Sequence, residues 1–186
     1  MDRLRLNVDQ IPEEGLVVRI DASHDKFPGL GEVCLQEEIA FASPLHLEIQ
    51  VRRVSNFVEA SGTIGTAVNL ACSRCLAPFS QNLTTDFEAT YSEAVPDPAL
   101  GVEDGDIELT PEVMDVFPFH GREIDLSEAI QEQVLLALPV QPLCRDGCKG
   151  LCARCGADLN QGDCGCGGKA VDPRFAVLKN LKIGDG

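Results

Sequence analysis

The chain has no tryptophan and one tyrosine, and aromatic residues make up only 5% of its 186 positions, so its core must be aliphatic. No apolar run approaches the roughly 20 residues that a membrane-spanning helix needs. The opening MDRLRLNVDQIPEEG has no apolar stretch of signal-peptide type, so a cytoplasmic protein with reduced thiols is expected. There is no glycine-rich phosphate loop and no Ser/His/Asp arrangement, and His24, His46 and His120 stand outside any motif. These absences argue against the common hydrolase and nucleotide-binding classes, and no enzyme activity is expected.

Basic residues are also scarce: 15 Lys and Arg face 30 Asp and Glu, a net charge of −15. The imbalance is uneven. Residues 1–141 hold 8 bases and 25 acids, whereas residues 142–186 hold 7 bases and 5 acids. Residues 93–132 alone carry twelve acids and one base, Arg122. Such a surface repels nucleic acid phosphates and attracts basic proteins, although a charge excess by itself also serves only to keep a face solvated.

What the chain has in excess is cysteine. Six of its nine cysteines, Cys144, Cys148, Cys152, Cys155, Cys164 and Cys166, fall within 23 residues. The segment from Pro142 to Gly168 has seven glycines and no aromatic or β-branched residue. It cannot build a core of its own, so disulfides or metal must order it. Cys152-Ala-Arg-Cys155-Gly156 is a knuckle whose two thiolates reach one ion, and Cys72-Ser-Arg-Cys75 repeats the spacing upstream.

Eight cysteines then make two four-thiolate sites. The expected pairing is Cys72 and Cys75 with Cys144 and Cys148, and Cys152 and Cys155 with Cys164 and Cys166. Cys34 is left over and reads as a small buried apolar residue. Zn2+ is the expected ion, one or two per chain and structural, because four thiolates leave no open position for water. The competing readings are disulfides, redox catalysis by a CxxC, and an iron–sulfur cluster.

The body reads as α+β: an antiparallel β-meander with a packed helix, followed by the cysteine-rich zinc-binding segment. Leu4, Leu6 and Val8 alternate, and Leu16 to Ile20 suggests a second strand that completes an N-terminal hairpin. His24 to Gly31 is loop-like, and Val33 to Phe41 is ambiguous. Leu45, Leu47, Ile49 and Val51 alternate, as do Val58 and Ala60 and then Ile64 to Leu70. Phe79 to Tyr91 follows, with Leu83, Thr85, Phe87 and Ala89 on one face, so Cys72 and Cys75 cap the connection between two long strands. Ser92 to Gly105 reads as an acidic surface loop, and Ile107 to Leu109 as extended.

Asp125 as N-cap with Glu128 three residues on predicts a capping box. Leu126, Ile130, Val134, Ala137 and Leu138 form one stripe, and Pro139 stops the helix. That helix is expected to dock on the sheet that carries Cys72 and Cys75. Asp172-Pro173 opens a terminal helix with Phe175, Leu178 and Leu181 on one face. The organisation is thus an acidic body over 1–141 and a cysteine-rich zinc-binding tail with a terminal helix over 142–186.

Several of these stretches occur together in one known family. CSRCLAPF from Cys72 to Phe79, EIDL ending at Leu126, LLALP ending at Pro139, CKGLCARCGADLN from Cys148 to Asn160 and DPRFAVL ending at Leu178 resemble the YceD family of bacteria and plastids. The resemblance runs from the first knuckle to the end, and residues 1–60 add little. It implies a factor in large-subunit biogenesis that supports accumulation of 23S rRNA, in a family whose gene often neighbours that of a small zinc-ribbon ribosomal protein. It supplies no catalytic residues.

Two modes of action fit. In one, the acidic surface around Glu103, Asp104 and Asp106 binds a basic ribosomal protein or assembly partner, and rRNA association is indirect. In the other, the zinc tail binds rRNA directly through Arg145, Lys149, Arg154 and Lys169. A zinc- or redox-responsive thiolate protein is the third reading, and it draws on cysteine number alone.

Overall fold

The computed structural model describes residues 4–36, 39–93 and 116–166. Along the described residues run β1 (Arg5–Asn7), a 3-10 turn (Val8–Gln10), β2 (Leu16–Ala22), a second 3-10 turn (His24–Lys26), α1 (Pro28–Gln36) and β3 (Ala40–Phe41). There follow β4 (Leu45–Val54), β5 (Phe57–Ala71), β6 (Pro78–Ser92), β7 (Val116–Pro118), β8 (Glu123–Asp125) and α2 (Ser127–Ala137). The content is mostly sheet with two helices, as expected for an α+β chain. No helix among the described residues is long and apolar enough to cross a membrane.

The chain divides into two compact units. One comprises Met1–Leu70 and Phe79–Val140, and the other Ala71–Pro78 and Gln141–Gly186. The first knuckle, far upstream in sequence, thus belongs to the unit that holds the cysteine-rich segment.

The first unit is built on a six-stranded sheet in the order β2-β4-β5-β6-β7, with β3 also on β5. Alternation sets its faces: Leu45, Leu47, Ile49 and Val51 are buried and the residues between them exposed. On β6 the same rule buries Leu83, Phe87 and Ala89 and half-buries Thr85. Val58, Ala60 and the run from Ile64 lie on one 15-residue strand. Gly62 keeps that strand pairable: opposite Ile49, a Cβ there would stand 2.0 Å from the Glu48 carbonyl oxygen. From α2, Ala129, Ile130 and Val134 join the sheet residues in the core of this unit.

Five expectations need correction. The N-terminal hairpin does not form, because β1 pairs with β8 and β2 pairs with β4. Alternation reports which face a strand buries and not which partner it takes. The stretch from His24 to Gly31 is a 3-10 turn followed by the start of α1, with Pro28 at the first helical position where its missing N–H costs nothing. Cys34 lies on α1 and is half-buried, not enclosed in the core.

The fourth correction concerns α2. Its N-cap is Leu126, with no side-chain cap. Asp125 ends β8, and its Oδ1 accepts the Ser127 N–H at 2.9 Å, so the aspartate still satisfies one orphan donor from one position further out. The meander is also not wholly antiparallel: β7 runs parallel to β6, with Tyr91 opposite Phe117. The acidic loop after Glu93, the extended Ile107 to Leu109 and the terminal helix from Asp172 lie outside the described residues.

Candidate metal centres

In the second unit Cys72, Cys75, Cys144 and Cys148 converge, as do Cys152, Cys155, Cys164 and Cys166. Within each group all four sulfurs lie within 4.8 Å of one another. None of these cysteines is in a disulfide. The Cys72 and Cys148 sulfurs stand 3.8 Å apart and the Cys75 and Cys144 sulfurs 3.7 Å. These separations are far beyond the ~2.05 Å of a disulfide. They match the ~3.8 Å edge of a tetrahedron whose centre binds sulfur at ~2.3 Å, the zinc–thiolate distance.

The two knuckles are built alike. The Leu76 N–H donates to the Cys72 carbonyl at 2.8 Å and the Gly156 N–H to the Cys152 carbonyl at 2.9 Å. The Cys72 N–H in turn donates to the Ala77 carbonyl and the Cys152 N–H to the Ala157 carbonyl. Each third-position arginine spans its own cluster: Arg74 donates to the Cys148 carbonyl and Arg154 to the Cys166 carbonyl, both at 2.9 Å. The clusters differ in exposure, since Cys72, Cys75 and Cys148 are buried while Cys155 is exposed.

Hydrogen bonding and crowding split the thiols of each cluster. A backbone hydrogen bond from Cys144 leads in lowering Cys72 to about 6, with burial opposing it. Cys144 is pushed up to about 12, first by burial and then by the sulfurs around it. In the second cluster, backbone hydrogen bonds from Arg154 and Cys155 lower Cys152 to about 6. The Cys155 and Cys164 sulfurs, with burial, raise Cys166 to about 12. Four sulfurs this close cannot all lose their protons unless a cation sits among them. The donor set therefore fits a soft or borderline divalent ion, and four thiolates would close its coordination sphere.

Asn160 holds the first cluster from a distance, and sequence reasoning missed it. Its Nδ2 donates to the Cys148 sulfur at 3.4 Å, while its Oδ1 accepts from the Lys149 N–H and from Arg145 Nη2, both at 2.8 Å. The side-chain bond from Asn160 is also the leading cause that lowers the Cys148 thiol. The only signal available was its place at the end of the CKGLCARCGADLN stretch. Of the residues considered for RNA contact, Arg145, Lys149 and Arg154 are all exposed, and Arg145 and Arg154 each commit one guanidinium N–H to a hydrogen bond within the unit. Lys169, Glu103, Asp104 and Asp106 lie outside the described residues.

Residues 60–182 match the model of the family described as large ribosomal RNA subunit accumulation protein YceD. The chain belongs to the YceD family. Among curated proteins, it is 27% identical over 157 residues to the chloroplastic YCED homolog 1 of Arabidopsis thaliana, covering 75% of this chain and 49% of that protein. The homologue of Zea mays is 28% identical over 136 residues, which is 63% of this chain and 46% of that protein. An uncharacterized protein of Mycobacterium tuberculosis is 33% identical over 137 residues, 74% of this chain and 61% of that protein. The chain spans about half the length of the plant YceD relatives it matches. No solved structure matches it. The YceD match takes in all eight clustered cysteines and Asn160.

Proposed function

We propose that this chain is a non-enzymatic factor in large ribosomal subunit biogenesis, supporting accumulation of large-subunit rRNA by holding a basic ribosomal protein or assembly partner on its acidic body. The family match carries the biological half of this reading. The charge distribution carries the physical half. A stretch of sequence with twelve acids and one base, residues 93–132, repels phosphates that come within roughly 8–10 Å, the Debye length near physiological salt, and draws in a basic protein. Zinc in both four-thiol clusters orders the second unit and does no chemistry, since four thiolates leave it no reactive position.

Direct reading of rRNA by the zinc-bearing unit is the second candidate. One guanidinium N–H of Arg145 and one of Arg154 are committed to hydrogen bonds within the unit, which favours the first. A pull-down of the intact chain at native salt, scored separately for protein and RNA, tests the choice. Recovery of a basic protein, weakened by Glu103→Lys, Asp104→Lys and Asp106→Lys together, supports the acidic-face reading. RNA binding by the purified chain that is lost on Lys149→Ala and Arg154→Ala, with the reversals silent, overturns it.

A further inference from the structure

The two clusters present the same four donors on the same kind of knuckle, and they differ in access. In the first, Cys72, Cys75 and Cys148 are 0%, 8% and 3% exposed, and Cys144 is half-buried. Segments distant in sequence close around it: the Ser73 N–H donates to the Pro142 carbonyl at 2.8 Å, the Leu151 N–H donates to the Arg74 carbonyl at 3.1 Å, and Asn160 Nδ2 donates to the Cys148 sulfur. In the second, none of the four cysteines is buried and Cys155 is exposed, as are its neighbours from Ala153 to Ala157.

Zinc has no redox chemistry, so an oxidant must act on the sulfurs, and thiolates are oxidised according to their exposure as well as their charge. With the donor set equal, access decides which cluster reacts. The steps balance with hydrogen peroxide as oxidant. The Cys155 sulfur attacks one peroxide oxygen, the O–O bond breaks, hydroxide leaves and the sulfur becomes a sulfenic acid. A second thiolate of the cluster attacks that sulfur, an S–S bond forms and a second hydroxide leaves. Two thiolates thereby give two electrons to one peroxide. All four sulfurs lie within 4.8 Å of one another, so a partner is at hand for closure to the ~2.05 Å of a disulfide. The cluster then has lost two of its four donors and its hold on the ion.

We propose that the cluster of Cys152, Cys155, Cys164 and Cys166 is a peroxide-responsive site, attacked first at Cys155, that exchanges its metal for a disulfide, while the cluster of Cys72, Cys75, Cys144 and Cys148 is a permanent clasp. The inference rests on the proposed zinc occupancy of both clusters and not on the partner of the acidic body. The topology suits this division of labour. The clasp joins Cys72 to Cys148, 76 residues apart in sequence, whereas the responsive cluster closes only residues 152–166. Opening the second frees that stretch and leaves the join to the first knuckle intact.

The test uses the full chain, loaded with zinc under reducing conditions, freed of reductant and treated with hydrogen peroxide beside a chromogenic chelator. One zinc should be released about tenfold faster than the other, in line with the difference in access. Native mass spectrometry should show a one-zinc species accumulating, and peptide mapping should place its disulfide among Cys152, Cys155, Cys164 and Cys166. A sulfenic-acid trap should label Cys155 first, and a dithiol with added zinc should restore the two-zinc form. Cys155→His keeps a four-ligand zinc site and should slow peroxide-dependent release about tenfold; if that variant does not hold its second zinc, the trap on the native chain decides. Release of both ions together, a first label or disulfide in the other cluster, equal release without peroxide, or unchanged release from Cys155→His would each overturn the assignment. A chain that takes up fewer than two zinc ions overturns the occupancy and the inference with it. No partner enters these measurements, so their outcome is independent of the acidic-face reading.

Discussion

Leu76 and Gly156 stand at the same place in the two knuckles, one residue past the second cysteine, and both adopt left-handed backbone, with φ of 60° and 73°. Each sends its N–H back to the carbonyl of the first cysteine. The turn around the thiolates demands this conformation whatever residue occupies the position. Glycine meets the demand freely, while an L side chain is disfavoured there by roughly 1–2 kcal/mol.

Leu76→Gly should therefore stabilise the first knuckle by about 0.5–1 kcal/mol, the relief of strain being partly offset by greater unfolded-chain entropy. Leu76 is 66% exposed, so little burial is lost with its side chain. Gly156→Ala should destabilise the second knuckle by about 1 kcal/mol. Thermal melts of the metal-loaded variants check both, and a lower melting temperature for Leu76→Gly would show that the leucine is held for contacts it makes elsewhere.

Asn160→Ala should weaken metal retention at the Cys72, Cys75, Cys144 and Cys148 cluster by roughly 10–100-fold, the usual cost of removing a partner that orients a metal ligand. The other cluster should be unaffected, since Asn160 bonds to Cys148 and to none of the second set. Competition with a chromogenic chelator resolves the two sites. Equal weakening of both would mean that the clusters fold as one.

Native mass spectrometry of the purified chain should show two zinc ions, one lost on Cys148→Ser and the other on Cys166→Ser. Chelation should remove hydrogen-exchange protection from residues 142–166 and leave β4, β5 and β6 largely protected. The sheet has its own aliphatic core, whereas the cysteine-rich segment has only its cross-links. Global loss of protection on chelation would contradict this division.

Asp125 makes the first unit acid-sensitive. Burial raises its carboxyl, but the Ser127 hydroxyl and N–H and then Arg5 outweigh this and hold it below the ordinary aspartate value. A carboxylate depressed on folding contributes stability that is present above its unfolded pKa of about 3.9 and is lost as pH falls through the folded value. Asp125→Asn should therefore flatten the fall in melting temperature below about pH 4. An unchanged acid limb would assign that limb to other carboxylates.

The α+β class, the strand faces of β4 and β6 and the two Cys-x-x-Cys knuckles could be read in advance because each depends on local spacing. A period of two sets which residues face the core, and two residues between cysteines set the reach of two sulfurs to one ion. The packing of Tyr91 on Phe117 was not legible, because the two lie far apart along the chain and share no spacing.

By itself, then, the sequence determined the knuckles, the alternating strands, the apolar stripe of α2 and an acidic charge concentrated away from the cysteine-rich end. Those features follow from interactions among near neighbours. Only the tertiary structure decided that three-residue β1 pairs with β8, that β7 lies parallel on β6, and that Asn160 closes on Cys148. A short strand carries too few side chains to encode its partner, and a single polar side chain finds its acceptor only after the chain has brought distant segments together.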